Sequence, residues 1–158
     1  MGDYDALLQA LLKLEDELQF TRFTNETALE VGLALLKTGQ TKVRPITIDI
    51  TRYGQQLFHY AMSGTCADND EWIKRKINVV RRFGHSSYYI GMHLKNIGQT
   101  IEQKYLIPES EYGAHGGSFP LIILDVGVVG TVTVSGLPQV EDHELVVETL
   151  RTFVAREH

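Results

Sequence analysis

One stretch of the chain combines basic side chains, a glycine and a serine where a helix would begin. It reads Arg81-Arg82-Phe83-Gly84-His85-Ser86-Ser87-Tyr88. The first N–H groups of a helix have no partners within the helix, and guanidinium groups bind carboxylates and phosphates well. Arg82, His85 and Ser86 are therefore candidate ligand-binding residues of an anion pocket. The spacing alone favours the alternative, in which Ser86 only caps a helix and the basic side chains are solvated.

A glycine-rich loop with a histidine, residues 112–120, lies directly before a predicted strand. Gly116 and Gly117 allow positive φ angles and close approach of the backbone to a ligand, which makes them candidate ligand-binding residues. His115 offers a nitrogen ligand or a proton carrier near neutral pH, and it is the candidate catalytic residue. A surface histidine on a bend at the sheet edge explains the same residues equally well.

A third segment, residues 135–143, follows the last predicted strand. Ser135 and Asp142 could serve a pocket, but a tight turn and an acidic first helical turn explain most of the segment. The sequence has no P-loop, dinucleotide fingerprint or nucleophile elbow. The six histidines are not spaced as in a zinc site, and Cys66 is the single cysteine. The metal ligands, if there are any, stay unassigned.

The charge of the chain is acidic overall, with one basic exception. The 158 residues include 15 Lys and Arg against 20 Asp and Glu, a formal net charge of −5. Residues 71–82 hold five basic residues and one acidic residue, a net charge of +4, and Lys74, Arg75 and Lys76 are expected to be solvated surface there. The length predicts a single domain over residues 1–158. The acidic net charge argues against a nucleic-acid partner. The acidic start and the lack of a long apolar run favour a cytoplasmic protein without a membrane partner.

Hydrophobic periodicity predicts the elements that position these residues. Apolar side chains at three- and four-residue steps predict helices at residues 5–19, 26–37, 69–83, 87–105 and 141–155. Alternating apolar and polar residues predict hairpins at 45–62 and 119–134. Asp68 and Glu71 predict a capping box for the helix at 69–83. The helix at 26–37 is apolar on most sides and is expected to be buried. Gly91 and Gly98 predict that another segment of backbone packs closely on the helix at 87–105. This order indicates an α+β fold, with a single antiparallel sheet of four or five strands flanked by helices.

Four segments in this order and spacing resemble the haem-degrading-domain superfamily of HbpS/GlcG-like proteins, and most of all its UPF-type branch. They are residues 72–76, 80–88, 115–120 and 127–139 with Asp142-His143. The resemblance implies a profilin-like α+β domain that forms a homo-oligomer. It also implies a link to haem, since some members bind or degrade haem, and a related domain is fused to corrinoid adenosyltransferases. Members commonly carry an Asp-Glu pair where this chain has Asp142-His143.

Three hypotheses follow. The first is a cytoplasmic small-ligand-binding protein whose pocket joins residues 82–86 to the loop at 115–117 and holds haem or another anionic metabolite. If the ligand is haem, His115 or, with less support, His85 would bind the iron. The second is an enzyme that acts on a small carboxylated or phosphorylated metabolite with His115 as general acid or base. The third is an oligomeric adaptor, because the helices at 26–37 and 87–105 have more apolar surface than one small sheet needs.

Overall fold

A computed structural model describes residues 4–157, which form six helices and one five-stranded sheet. The predicted α+β class is confirmed. The acidic start of the chain, residues 1–3, lies outside the described residues. The elements are α1 (Asp5–Glu17), β1 (Gln19–Phe20), α2 (Asn25–Gly39), β2 (Thr47–Arg52), β3 (Gln55–Ala61), α3 (Ala67–Phe83), α4 (Ser87–Ile97), α5 (Ile101–Tyr105), β4 (Ser118–Ile123), β5 (Gly127–Ser135) and α6 (Gln139–Ala155).

The sheet has the strand order β1-β4-β5-β2-β3. Both predicted hairpins are present, and β2 pairs with β5 to join them, so four strands are antiparallel. The expectation of a purely antiparallel sheet is wrong for β1, which pairs with β4 in parallel, with Gln19 opposite Ile122 and Phe20 opposite Ile123. A two-residue strand is too short to show a period, so the sequence pattern could not reveal it.

The two faces of the sheet differ in polarity. The main apolar core lies between the sheet and helices α2 and α6. The sheet contributes isoleucines from β2 and from the residue before it, together with valines from β5. The opposite face lies under α3 and carries small polar side chains that are buried, among them Ser118 and Thr133, whose hydroxyl oxygens are 2.9 Å apart. Because side chains alternate along a strand, the polar members of the same strands all point towards α3. A pocket on this side of the sheet therefore has polar walls.

The start of α3 differs from the prediction. The helix begins at Ala67 with Cys66 as its N-cap residue, and the Cys66 N–H donates to Asn69 Oδ1 at 3.0 Å. The predicted capping box at Asp68 and Glu71 is wrong, because both residues already lie inside the first helical turns. The helix ends where it was expected to end, at Gly84, which adopts a φ of 73°.

The predicted helix at 87–105 is divided into α4 and α5. Gly98 adopts a φ of 68° and ends α4, and the Thr100 hydroxyl then caps α5 by accepting from the Gln103 N–H at 3.1 Å. Gly98 is thus a helix terminator, whereas the expected close backbone approach occurs at Gly91. Ile101 continues the apolar period of α4, which is why the break was not visible in the sequence.

The expectation that α2 is buried is correct for one side only. Ala28, Val31 and Leu35 are fully buried, whereas Leu29 and Leu33 are 51% and 50% exposed. Exposed leucines are compatible with self-association but do not test it, so the homo-oligomer stays a prediction. No helix within residues 4–157 has both the length and the apolar character needed to cross a bilayer.

Candidate functional site

The loop that carries His115 is fixed to both helices on the polar side of the sheet. The Gly113 N–H donates to the Arg75 carbonyl of α3 at 3.0 Å. Gly91 of α4 lies so close to the Ala114 carbonyl oxygen that a β-carbon at position 91 would overlap it. The glycine at 91 therefore allows the loop to pack directly on the backbone of α4.

The same loop is also fixed at its C-terminal end. The Gly116 N–H donates to Gln139 Oε1 of α6 at 2.9 Å, and the Gly117 carbonyl accepts from the Val134 N–H of β5 at 3.0 Å. Gly117 has a φ of 140°, and a β-carbon there would lie 2.6 Å from Lys76 Nζ. The positive φ that the sequence allows is thus found at Gly117, while the ligand-binding role of Gly116 and Gly117 stays a prediction.

A pocket of about 320 Å³ opens beside this loop, between α3 and the turn that leads from β5 into α6. We call it the Lys76 pocket. Its walls combine an indole, an imidazole, a hydroxyl, two amides, a carboxylate and a buried ion pair, so most of its chemistry is polar. Its lining residues are Asp68, Asn69, Trp72, Lys76, His115, Ser135, Gly136, Leu137, Gln139 and Asp142.

A buried ion pair forms one wall of the Lys76 pocket. Lys76 Nζ lies 3.1 Å from Asp142 Oδ2 and also donates to the Val134 carbonyl at 3.1 Å, while Asp142 Oδ1 accepts from the Leu137 N–H at 2.9 Å. The two residues are 4% and 1% exposed. Asp142 lies in the first turn of α6, where the helix dipole favours a carboxylate. The pair ties the middle of α3 to the start of α6.

Burial shifts the titration of the groups in this pocket. It raises the pKa of Asp142 to about 6, against the opposing effect of Lys76, and it lowers the pKa of Lys76. Burial and then the nearby Lys76 charge lower the pKa of His115, so its imidazole is neutral near pH 7. A neutral imidazole can accept one hydrogen bond and donate another, or bind a metal ion through its free nitrogen.

Trp72 separates the Lys76 pocket from a second one. The rings of Trp72 and His115 meet edge to face at 5.3 Å between centroids, and the Arg75 guanidinium carbon lies 4.0 Å from the Trp72 ring centroid. The second pocket, of about 280 Å³, shares Trp72 and His115 with the first, and we call it the Arg75 pocket. Its lining residues are Trp72, Arg75, Gly91, Leu94, Lys95, Gln99, Thr100, Ile101, Glu109, Tyr112, Gly113, Ala114 and His115.

The candidate residues at the α3–α4 junction have partners within the protein. The Arg82 guanidinium carbon lies 5.6 Å from the Tyr112 ring centroid. His85 Nδ1 lies 2.7 Å from Glu15 Oε1, and the Ser86 N–H donates to Glu15 Oε2 at 3.0 Å. The Glu15 carboxylate of α1 thus binds two of the groups that were predicted to bind a ligand. None of the three candidates lines either pocket, and their part in ligand binding stays a prediction.

Sequence reasoning assigned one residue of the site wrongly and did not foresee the residue that pairs with it. Lys76 was expected to be solvated, but it is buried in α3. Its spacing of three residues from Ile73 and four from Val80 places it on the buried stripe, which is the signal that could have found it. Asp142 was named as a possible pocket residue, although an acidic helical turn was the favoured interpretation, and only the fold brings it to Lys76. Within residues 4–157, no group of three His, Cys, Asp or Glu side chains could hold a metal ion.

Comparison with known proteins identifies the family. The family model "Haem degrading protein HbpS-like" matches residues 23–151. The chain belongs to this HbpS-like family. The superfamily resemblance of the four sequence segments is thereby confirmed. A UPF0303 protein of Streptomyces coelicolor, 51% identical over 140 residues that cover 89% of each chain, agrees with the expected UPF-type branch.

Solved structures show how the HbpS-like fold is shared. The crystal structure of Ybr137w protein matches with a TM-score of 0.88 at 32% identity and covers 95% of this chain and 88% of that one. The PduOC:heme complex matches with a TM-score of 0.67 at 15% identity and covers 82% of this chain and 93% of that one. At that identity the second match establishes a common HbpS-like fold and nothing more.

Proposed function

We propose that this HbpS-like protein is a cytoplasmic binding protein for a small anionic ligand, which occupies the Lys76 pocket. The observation that carries the proposal is the ammonium group of Lys76, which is buried and lines the pocket. An ammonium has three N–H donors, and within residues 4–157 only Asp142 and the Val134 carbonyl accept from it. A carboxylate or phosphate oxygen in the pocket would accept the third hydrogen bond.

The other walls of the pocket offer hydrogen-bonding groups to an anionic metabolite, against one opposing carboxylate, that of Asp68. The neutral His115 imidazole, the Ser135 hydroxyl and the Gln139 side chain offer donors and acceptors, and the Trp72 indole offers an apolar surface. Pockets that bind small molecules have volumes of roughly 300 to 1,000 Å³. The Lys76 pocket lies at the small end of that range, which favours a compact ligand.

Haem deserves a separate test because a structural relative was solved as a heme complex. The neutral imidazole of His115, an exposed residue at the pocket wall, has the chemistry of an iron ligand. A pocket of about 320 Å³, however, does not enclose a macrocycle with its two propionates. The volume therefore disagrees with haem as the occupant, and we derive no chemistry through iron.

The enzyme hypothesis uses the same pocket. A neutral His115 beside an anionic ligand could accept a proton from it, which is the role of a general base. No leaving group or substrate is specified by the residues, so the proposal is limited to binding.

The test follows ligand binding through the intrinsic fluorescence of Trp72, which is the single tryptophan of the chain. Purified protein is titrated with small carboxylates, inorganic phosphate and haemin, and the Soret band is recorded for haemin. We expect saturable binding of a small anion that is weakened by His115→Ala. The matched control is His93→Ala, because His93 lies on α4 outside both pockets.

Two results would contradict the proposal. One is small-anion binding that His115→Ala leaves unchanged, with NMR shifts centred on Arg82 and Ser86. The other is the absence of any small-anion binding. A Soret spectrum that differs from free haemin and is lost in the His115→Ala protein would instead restore haem as the ligand.

A further inference from the structure

Arg75 has an incomplete set of partners. Its Nε is buried and has no hydrogen-bond partner, and no carboxylate of residues 4–157 forms an ion pair with its guanidinium. The group is held by stacking on Trp72, at 4.0 Å from the guanidinium carbon to the ring centroid. Buried polar groups in folded proteins almost always have partners, so the enclosed Nε leaves the Arg75 guanidinium incompletely satisfied by residues 4–157.

The pocket beside Arg75 has the charge and the walls that an oxyanion needs. Lys95 is a second cation among its lining residues, and Glu109 is the opposing carboxylate, so the ionised side chains sum to a net charge of +1. The loop backbone fits closely here, since a β-carbon on Gly113 would lie 3.2 Å from Arg75 Cβ. Arg75 is thus fixed by an indole on one side and by the loop on the other, which orients its donors before a ligand arrives.

The Arg75 pocket and the Lys76 pocket meet at a common wall made of Trp72 and His115. We propose that the Arg75 pocket is a second oxyanion subsite and that the ligand class is a compound with two separated acidic groups, one on each side of Trp72. This inference rests on the proposed function for the group that Lys76 binds. The acidic group in the second subsite pairs with the Arg75 guanidinium and with the Lys95 ammonium.

The experiment compares ligands that differ only in the second acidic group. Dicarboxylates from malonate to adipate and monocarboxylates of the same chain lengths are titrated against the wild-type protein by Trp72 fluorescence and calorimetry. We expect the dicarboxylate of fitting length to bind about tenfold more tightly than its monocarboxylate partner, as one charge-assisted contact allows. Arg75→Gln should remove this excess, so that the dicarboxylate and the monocarboxylate of each length bind this variant with similar affinities. The matched control is Arg81→Gln, because Arg81 is exposed on the same helix and lines neither pocket.

The outcomes separate this inference from the proposed function. Equal affinities for dicarboxylates and monocarboxylates at every length, or an excess that persists in the Arg75→Gln protein, would overturn the second subsite and leave the Lys76 proposal standing. Failure of every carboxylate to bind would overturn the second subsite, and failure of inorganic phosphate as well would overturn the Lys76 proposal. Circular dichroism checks the fold of each variant. If Arg75→Gln does not fold, Lys95→Gln provides the second test, since it should reduce the same excess without touching the stacked guanidinium.

Discussion

Replacing His143 with Phe should change how the stability of the protein depends on pH. His143 lies in the first turns of α6, is 4% exposed, and has its ring centroid 4.8 Å from that of Tyr88 and 6.2 Å from that of Phe119. Burial among aromatic rings disfavours the charged imidazolium, and it lowers the pKa of His143 from the ordinary 6.5 to about 4. Phe has no titrating group and a ring of similar shape.

The size of the effect follows from the two pKa values. Above pH 6.5 the imidazole is neutral in both states and contributes no pH dependence. As the pH falls from 6.5 to about 4, the unfolded chain takes up a proton that the folded chain does not, so the free energy of unfolding decreases. At 1.4 kcal/mol per pH unit, the wild type loses about 3 kcal/mol through this residue by pH 4. The His143→Phe protein lacks this loss.

The assay is urea unfolding of both proteins at a series of pH values from 7 to 4, at one protein concentration. Asp142 titrates in the same range with the opposite effect on stability. Its pKa is raised to about 6 in the folded state, so the folded protein binds this proton at a higher pH than the unfolded chain does, and the free energy of unfolding increases as the pH falls. Only the difference between variant and wild type therefore isolates His143. We expect that difference to grow in favour of the variant by about 3 kcal/mol between pH 7 and pH 4.

A constant difference over the whole pH range would refute the reasoning, because it would mean that His143 binds its proton equally in both states. A packing change from the larger ring adds only an offset that does not depend on pH. His93→Phe is the control substitution, since it places the same ring on α4 and leaves His143 in place.

Two further substitutions test the framework of the site. Lys76→Met should cost about 3–5 kcal/mol of unfolding free energy, because it leaves the Asp142 carboxylate buried without its cation. Adding Asp142→Leu to the same chain should recover most of that loss. A cost of Lys76→Met below about 1 kcal/mol in urea unfolding would contradict the pairing. Gly91→Ala should cost roughly 1–3 kcal/mol because its methyl group would overlap the Ala114 carbonyl, and an unchanged melting temperature would show that the loop does not pack on α4 as described.

The elements of the fold were largely predictable because their patterns are local. Both hairpins and the helices follow from the spacing of apolar residues, and Ser86 caps α4, as the alternative interpretation of that segment predicts. Local patterns failed where a residue serves two purposes. Ile101 extends the apolar period of α4 although Gly98 has already ended that helix, so two helices were read as one.

The site was only half predictable. His115 was visible because a glycine-rich segment with a histidine is unusual beside a strand, although Gly116 and Gly117 line neither pocket. The pairing of Lys76 with Asp142 joins residues 66 positions apart, and no local pattern encodes it. Likewise, Glu15 lies 70 positions from His85 and occupies the donors that the junction of α3 and α4 offered to a ligand. Partners this distant in sequence are decided by the fold alone.

The attachment of the His115 loop to α3, α4, α6 and β5 has a consequence for how a ligand enters. A loop held by hydrogen bonds at Gly113, Gly116 and Gly117 cannot open like a lid without separating those elements. The amide protons of Gly113 and Gly116, which are hydrogen-bonded, should exchange with solvent as slowly as those of the sheet, although the segment has no regular secondary structure. A ligand therefore meets a site whose shape is already set, and its binding rate depends on diffusion and desolvation rather than on closure of the protein around it.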